Sequence, residues 1–269
     1  MGYELTGLIV GIKGAGEMAS AVAWRLYQAN IKRILMTEIP QPLAVRRKVS
    51  FCEAVYEGEQ VVEGVRAWRV EDLEGLRKAW EQGFIGVAVD PQWRLLSELG
   101  PHVVVDAVLA KRNLGTTLTD APLVIALGPG FTAGVHAHMV IETNRGHNLG
   151  RVITEGDAEP NTGIPGDIAG HSADRVLRAP TEGIFRSLSS IGDRVSQGQT
   201  VGEVGGQSVT AGVGGVIRGL IRDGTPVHRG LKLGDIDPRG RVEFCHTISD
   251  KARAIAGSVL EAILRVYNR

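Results

Sequence analysis

A glycine-rich turn near the amino end has the residue types that bind a dinucleotide. The turn, Lys13-Gly-Ala-Gly-Glu17, follows an apolar run at residues 8–12 that predicts a buried strand. Gly14 would allow the turn, and Gly16 would let a pyrophosphate approach the start of a helix. Glu38 follows the next predicted strand, 22 residues after Gly16, where it would face a ribose hydroxyl. This spacing indicates a nucleotide or dinucleotide pocket.

Two residues of the turn carry charges with opposite consequences for an anion. Glu17 would lie in the first turn of the helix, where its carboxylate favours the helix dipole and repels a phosphate. Lys13 would offset that negative charge. A Rossmann-like core that binds no such ligand therefore stays open as the alternative to a nucleotide pocket.

Alternating helix and strand patterns extend this region into a parallel α/β sheet. After Glu38 they predict a helix at residues 73–82 and strands at 85–89, 103–105 and 123–127. Ligands of such sheets bind beyond the carboxyl ends of the strands, so the loops there should ring one crevice. The residues predicted to bind the ligand are Lys13, Gly14, Gly16, Glu38, Arg46, Arg47, Lys111, Gly128 and Gly130.

Basic residues predict an anionic ligand for this crevice, although the chain as a whole is neutral. Arg46 and Arg47 follow the second predicted strand, and Lys111 and Arg112 follow a later one. The alternative is that these side chains form a solvated surface. Cys52 follows the first basic pair, and because nearby cations lower a thiol's pKa, it is a candidate reactive residue. Burial of Cys52 as a small apolar side chain is the alternative.

A pair of histidines has a spacing that suits metal binding. His136 and His138 would share one face of a strand. Because no third ligand is evident, we predict no metal site.

The composition excludes several classes of partner. Lysine and arginine number 30, as do aspartate and glutamate, so no global charge attracts nucleic acid or an anionic membrane. Two cysteines without C-x-x-C spacing fit a reducing cytoplasm. No apolar run reaches the roughly 18 residues of a membrane span, and the first residues lack a signal-peptide pattern. We expect a cytoplasmic protein that binds neither nucleic acid nor membrane, and whether it forms a homo-oligomer stays open.

The second half of the chain contains an internal repeat. Residues 183–204 and 215–236 match at an offset of 32 positions without a gap, and seven of the 22 paired positions are identical. Glycines recur where short strands must turn. A unit of this size cannot bury its apolar face alone, so the two copies should close on each other.

The spacing within each copy resembles the barrel-sandwich hybrid of lipoyl and biotinyl carrier domains. Those carriers attach their cofactor to a lysine in the hairpin between the halves. Residues 205–214 link the halves here, and no lysine occurs from residue 181 to 231. The resemblance therefore implies the carrier fold without the carrier lysine, as a binding or scaffold module.

Three segments follow from these patterns. Residues 1–150 are predicted to form a Rossmann-like domain, and residues 151–245 a β-rich barrel-sandwich hybrid. Residues 246–269 should form a closing helix that packs back on a domain, because apolar residues recur on one helical face.

Several longer motifs carry a resemblance to a known family over nearly the whole chain. They are Lys13-Gly-Ala-Gly16, Glu38 with Arg46-Arg47, Val49-Ser-Phe-Cys-Glu-Ala-Val-Tyr56, Gly128-Pro-Gly-Phe131, Val140-Ile-Glu-Thr-Asn-Arg-Gly-His147, Pro160-Asn-Thr-Gly-Ile-Pro-Gly166, Gly234-Asp-Ile-Asp-Pro-Arg239 and Ile248-Ser-Asp-Lys-Ala252. In these motifs the chain resembles the YqeB type of accessory protein associated with selenium-dependent molybdenum hydroxylases. Glu17-Met18 is a conservative departure from the Asp-Leu of that family.

The resemblance implies a role in maturing a molybdenum hydroxylase that carries a labile selenium, with the hydroxylase as partner. Together with the predicted pocket, it suggests a small anionic nucleotide ligand, for which a molybdopterin dinucleotide or NAD(P) are candidates. Two other classes stay open: an NAD(P)-dependent oxidoreductase and a ligand-free scaffold that docks the hydroxylase. Whether the protein is an enzyme, and whether selenium or sulfur is handled at Cys52, also stays open.

Overall fold

The computed structural model describes residues 5–268, which divide into two compact units. The first unit contains the described residues up to Pro42, then Ser50–Asn161, and the chain from Ile248 onward. The second contains Leu43–Val49 and Thr162–Thr247. The start of the chain, on which the signal-peptide expectation depends, lies outside the described residues. Within residues 5–268 no helix is long and apolar enough to cross a bilayer.

A largely parallel sheet forms the centre of the first unit. Its described strands are β1 (Ile9–Lys13), β2 (Arg33–Glu38), β3 (Glu59–Val62), β4 (Val65–Val70), β5 (Ile85–Val89), β6 (Val103–Asp106), β7 (Leu123–Leu127), β8 (Thr132–Ala133), β9 (Met139–Ile141), β10 (Val152–Ile153) and β11 (Gly156–Asp157). Nine of them lie in the order β10-β9-β7-β6-β1-β2-β5-β4-β3, while β8 pairs with β11 in a small separate sheet.

The strands from β9 across to β4 run parallel, and only the outermost β10 and β3 are antiparallel to their neighbours. The central strands are continuous apolar runs because parallel strands covered on both faces have no solvent side. All five residues of β7 are buried, for example. The chain passes from β1 to β2 on one side and returns to β6 on the other, so the order reverses between β1 and β6.

Five helices accompany this sheet in the described residues: α1 (Glu17–Gln28), α2 (Ala54–Glu57), α3 (Leu73–Glu81), α4 (Arg94–Leu99) and α5 (Asp250–Tyr267). The closing helix α5 begins after Ser249, whose hydroxyl oxygen accepts a hydrogen bond from the Ala252 N–H at 3.3 Å. Its apolar face, which includes Ile255, Val259 and Ile263, is buried, and α5 packs against α1. The predicted α/β fold with a parallel sheet and a closing carboxyl-terminal helix is confirmed.

The second unit consists of two four-stranded antiparallel sheets. Its strands are β12 (Val176–Arg178), β13 (Gly183–Ser187), β14 (Arg194–Val195), β15 (Thr200–Val204), β16 (Gln207–Thr210), β17 (Gly215–Leu220), β18 (Pro226–Val227) and β19 (Lys232–Asp237). One sheet has the order β12-β19-β17-β14 and the other β16-β15-β13-β18. Each sheet therefore contains strands from both copies of the repeat.

The two copies exchange strands symmetrically. The first copy's β14 pairs with β17, and the second copy's β18 pairs with β13. The Gly192 N–H donates to the Ile217 carbonyl at 2.8 Å, and the matching Gly224 N–H donates to the Phe185 carbonyl at 2.8 Å. The outer strands β12 and β16 are related by the same 32-residue offset, which extends the repeat beyond the identical positions.

The copies differ where β17 carries a bulge. Arg186 pairs directly with Glu203 in the first copy, whereas in the second copy Asp235 pairs with Gly219 because Arg218 bulges out of register. Asp235 is 1% exposed, whereas Glu203 is half-buried. The second copy therefore buries a charge that the first copy leaves partly in solvent.

The boundaries differ from the predicted 1–150, 151–245 and 246–269. Residues 151–161 stay with the first unit because β10 and β11 pair with β9 and β8. The segment Leu43–Val49 belongs to the second unit, where the Val45 carbonyl accepts the Leu220 N–H at 2.8 Å.

Candidate functional site

The glycine turn after β1 has two glycines with different reasons for being glycine. Gly14 has a φ of +93°, and a Cβ there would lie 3.2 Å from the Ala107 carbonyl oxygen, so the fold itself requires a glycine. Gly16 has a φ of −71°, which any residue adopts, and no atom lies within 4 Å of where its Cβ would be. The turn is therefore open in front of Gly16, at the amino end of α1.

Glu38 lies beside this turn, at the end of β2. Its carboxylate accepts the Ala15 N–H at 3.0 Å and the Ile39 N–H at 2.8 Å. Burial raises the pKa of Glu38 above its usual range, although these two hydrogen bonds act to lower it. The structure thus brings Glu38 to the same edge of the sheet as Gly16.

Lys13 is turned away from the glycine turn into a buried network. Its ammonium is 2% exposed, donates to Thr116 Oγ1 at 2.7 Å and to Asp120 at 2.6 Å, and lies 3.8 Å from the Trp93 ring centroid. Asp106 accepts the Thr116 hydroxyl at 2.6 Å. Burial raises the pKa of Asp106. Lys13 therefore holds the loop after β6. The prediction that its charge would offset that of Glu17 is not supported by this position.

That loop carries Lys111 over the same edge. Lys111 is exposed and has a φ of +61°, an uncommon conformation for a residue with a side chain. A Cβ on Gly130 would lie 2.6 Å from the Arg112 Cα, so the loop packs on the backbone after β7. Gly128 has a φ of +75° and packs against Thr143. This packing explains why glycine is needed at positions 128 and 130, without a ligand. Lys111 remains exposed on the loop.

Arg46 and Arg47 lie in the second unit. The Arg46 guanidinium is 5% exposed and donates to the carbonyl oxygens of Phe244 at 2.8 Å and Thr247 at 3.0 Å. Arg47 donates to the Leu220 carbonyl at 2.7 Å. Both arginines thus make contacts within their own unit.

Cys52 is fully buried in the first unit. Its N–H donates to the Ala15 carbonyl at 2.9 Å, and its side chain has no exposed surface. Cys245 is also fully buried, and burial raises the pKa of its thiol. Burial of Cys52 supports the apolar interpretation of this residue over a reactive thiol.

Two cations at the carboxyl edge of this sheet, Arg145 and Lys251, were not among the predicted ligand-binding residues, although both lie in sequence motifs noted above. Arg145 follows β9, and its guanidinium forms a two-armed ion pair with Asp250 at 2.8 and 3.0 Å. Lys251 lies in the first turn of α5. Desolvation lowers the pKa of Lys251, and the positive charges of Arg145 and Lys111 add to the effect. No local pattern could show that Arg145 meets the start of α5, because 105 positions separate it from Asp250.

The second unit contains a buried cluster of opposite charges. Arg175 donates to Asp235 at 3.1 Å, Arg218 bonds both Asp235 and Asp237, and Arg239 donates to Asp237 at 2.7 and 2.9 Å. Burial acts to raise the pKa of Asp235, but the charges of Lys232, Arg218 and Arg46 outweigh it and hold that pKa below its usual range. Asp235, Asp237 and Arg239 belong to the motif at residues 234–239, whereas Arg175 and Arg218 come from other strands and loops.

The histidines do not form a metal site in the described part of the chain. His136 Nδ1 accepts the Thr132 N–H at 3.0 Å, and His138 Nδ1 accepts the Val124 N–H at 2.9 Å. Both lie before β9 begins, not on one strand as expected. No group of three or more histidine, cysteine, aspartate or glutamate side chains within residues 5–268 could hold a metal ion.

The chain is 51% identical to the uncharacterized protein YqeB of Escherichia coli K12 over 261 residues, which is 97% of this chain. The YqeB-type resemblance is thereby confirmed. The chain spans 48% of the length of that relative. The YqeB-type motifs supply the open turn at Gly16, the pair Arg145 and Lys251, and the Asp235 cluster. No protein-family model matches the chain.

Two solved structures show weak similarity to the chain. A succinylglutamate desuccinylase/aspartoacylase from Rhodobacter sphaeroides is 24% identical over 32% of this chain and 30% of its own, with a TM-score of 0.21. An aspartoacylase family protein from Mesorhizobium loti is 14% identical over 86% of this chain and 85% of its own, with a TM-score of 0.27. Scores this low support no functional conclusion for this chain.

Proposed function

We propose that the first unit is a Rossmann-like domain that binds a nucleotide-containing anion at the carboxyl edge of its sheet. The strand order supports this proposal. Along β5-β2-β1-β6-β7-β9, the order corresponds to the 3-2-1-4-5-6 arrangement of doubly wound dinucleotide-binding sheets. Ligands of such sheets bind where the order reverses, which here is between β1 and β6.

The observation that carries the proposal is the open space at Gly16. Neither backbone strain nor crowding requires a glycine there, in contrast to Gly14. A ligand close to the helix start would require it, because any side chain would occupy the ligand's place. No side chain caps the amino end of α1, so the backbone N–H groups of its first turn could donate hydrogen bonds to a phosphate.

The neighbouring residues would take distinct roles towards such a ligand. Glu38, already bonded to the Ala15 N–H, would accept a ribose hydroxyl. Lys111 would contribute positive charge from the loop after β6. The Glu17 carboxylate accepts the Ser249 hydroxyl at 2.9 Å, which holds it toward the start of α5.

For the second unit we propose the barrel-sandwich hybrid without its carrier function. Exchange of strands between the two repeat copies supports the fold. The turn between β15 and β16 carries Gly205 and Gly206 and has no lysine for a lipoyl or biotinyl group. The unit would act as a binding or scaffold module, and intact-mass measurement should detect neither modification.

The YqeB-type resemblance supports a place for this binding activity in the maturation of selenium-dependent molybdenum hydroxylases. The ligand would then be a molybdopterin dinucleotide, and the hydroxylase the partner. Since the chain spans about half of its curated relative, the activity and partners of the whole protein are part of this proposal.

Native mass spectrometry of the protein purified from a host that makes molybdenum hydroxylases tests the proposal. We expect a retained ligand with the mass of a pterin dinucleotide or its nucleotide fragment. A retained nicotinamide that is reduced on addition of a substrate would instead identify an oxidoreductase. The ligand-free scaffold would be favoured by two results together. Native mass spectrometry would detect no nucleotide, and a pull-down would capture a hydroxylase equally with wild-type protein and with Gly16→Val.

A further inference from the structure

Two sequence motifs outside the glycine turn contact each other at the carboxyl edge of the sheet. One is residues 140–147, at the end of β9 and in the loop after it, and the other is residues 248–252, which lead into α5. The Arg145 guanidinium contacts both oxygens of Asp250, at 2.8 and 3.0 Å. A two-armed ion pair fixes the orientation of both groups better than a single contact does. The start of α5 is thereby held against the loop after β9.

A second bond holds the start of α5 beside the glycine turn. The Ser249 hydroxyl donates to Glu17, and Glu17 directly follows the open Gly16. Lys251 is two residues further along the chain, in the first turn of α5. Because the preceding residues Ser249 and Asp250 are bonded to Glu17 and Arg145, Lys251 lies at the end of α5 that is next to the glycine turn.

The carboxylates that surround Lys251 all have other partners. Asp250 is paired with Arg145, and Glu17 accepts the Ser249 hydroxyl. Glu142 accepts the backbone N–H groups of Asn144 at 2.6 Å and Glu159 at 2.7 Å. Within the part of the chain that the structure describes, no hydrogen bond or ion pair involves the Lys251 ammonium.

The charges around this ammonium favour an added anion. Desolvation lowers the pKa of Lys251, Arg145 and Lys111 lower it further, and Glu17 and Glu142 act in the opposite direction. Glu17 and Glu142 favour the charge of Lys251 from nearby, but no carboxylate of the described residues contacts its ammonium, so burial and the neighbouring cations leave the charged form destabilised. A phosphate between Lys251, Arg145 and Lys111 would offset the repulsion among these cations and give the buried ammonium a direct anionic partner.

We infer that Lys251, together with Lys111 and Arg145, binds a phosphate or pyrophosphate group of the ligand, and that α5 completes the pocket that begins at Gly16. This inference rests on the proposed function and deepens it, because it assigns the anionic part of the ligand to named side chains. Lysine would act here as a point charge, and the helix start would add its dipole.

Calorimetric titration of the full chain with inorganic pyrophosphate tests the assignment. Lys251→Met should weaken binding about 10- to 100-fold, the range that a charge-assisted hydrogen bond contributes. Lys251→Arg should recover most of the affinity because it keeps the charge. Lys78→Met is the matched control, since Lys78 is a 65% exposed lysine of the same unit paired with Glu74. It should leave the affinity unchanged.

A thermal melt of the unliganded Lys251→Met protein separates a binding role from a structural one. The melting temperature should stay the same or rise, because the substitution removes a desolvated and repelled charge. Pyrophosphate binding by Lys251→Met equal to that of Lys78→Met, or a lower melting temperature with unchanged affinity, would overturn the assignment. If wild-type protein retains a dinucleotide that Gly16→Val loses, but Lys251→Met binds normally, only this assignment fails. If wild-type protein binds neither pyrophosphate nor a dinucleotide, the proposed function fails with it.

Discussion

Ser249 and Glu17 join the first turns of α5 and α1, through a hydrogen bond of 2.9 Å from the serine hydroxyl to the glutamate carboxylate. The same serine oxygen accepts the Ala252 N–H and so caps α5. One side chain therefore starts the closing helix and connects it to the residue that follows Gly16. The bond couples the carboxyl end of the chain to the glycine turn.

Substitutions at Ser249 should separate these two roles. Ser249→Asn keeps a capping side chain, whereas Ser249→Asp caps equally well but places a second carboxylate against Glu17. We expect Ser249→Asp to be about 1 kcal/mol less stable than Ser249→Asn in urea denaturation. Adding Glu17→Gln should remove that difference. Equal stabilities of Ser249→Asp and Ser249→Asn would show that the contact with Glu17 carries no energy.

The charge cluster of the second unit should be sensitive to loss of one carboxylate. Asp235→Asn leaves Arg175 and Arg218 buried without their shared anion, which should cost about 3–5 kcal/mol. Glu203→Gln is the matched control, because Glu203 is the repeat-related residue and is only half-buried. It should change the free energy of unfolding by less than about 1 kcal/mol.

Hydrogen exchange of second-unit amides would measure both variants. The pKa of Asp235 is lowered, so its contribution to stability is present above the unfolded pKa and lost as the pH falls through the folded value. Asp235→Asn should therefore flatten the acid side of the stability profile. An Asp235→Asn protein as protected as Glu203→Gln would contradict the account.

The interior of the second unit should not tolerate a carboxylate at either repeat-related valine. Val195 and Val227 are each 7% exposed and pair across the copies with Gly215 and Gly183. Val195→Asp or Val227→Asp should cost several kcal/mol, enough to unfold this unit. Leu188→Asp, at a side chain 65% exposed, is the control and should fold. Limited proteolysis distinguishes the variants, and resistant Val195→Asp protein would mean that the strand exchange is misassigned.

Glu38 should titrate above the ordinary range for a glutamate, because burial raises its pKa. Carbon-13 NMR of the side-chain carboxyl groups measures this, and Glu159, whose pKa Asn148 and Asn144 lower, is an internal comparison. With a raised folded pKa, the folded state binds more protons, so this contribution to stability is lost as the pH rises through that value. Glu38→Gln should abolish it. A Glu38 pKa at or below that of Glu159 would show that burial does not raise the pKa of Glu38.

Elements with continuous apolar runs are well predicted from sequence. The run at residues 8–12 locates β1 within one residue, and the strand predicted to end before Glu38 is β2, since parallel strands buried on both faces need such runs. In contrast, α4 has six residues, too few for a clear helical period, and β4 contains exposed arginines. Both were missed for that reason.

The partners of charged residues are the part that local patterns do not reveal. Lys13 follows a strand as a phosphate-binding lysine would, yet its ammonium bonds Asp120, 107 positions away. Arg46 follows β2, yet it bonds Phe244, 198 positions away. Such contacts depend on tertiary packing, so sequence predicts that these cations matter but not what they bind.

Ligand binding by Gly16→Val tests the central claim most directly. The variant should fold with at most a small loss of melting temperature, because no atom lies within 4 Å of the added Cβ and its φ suits any residue, while valine is a poorer N-cap than glycine. It should lose the nucleotide-containing ligand that native mass spectrometry detects on the wild-type protein. Gly257→Val is the control, at an equally open glycine in α5, and should keep the ligand. Retention of the ligand by folded Gly16→Val, at the wild-type level, would contradict the account.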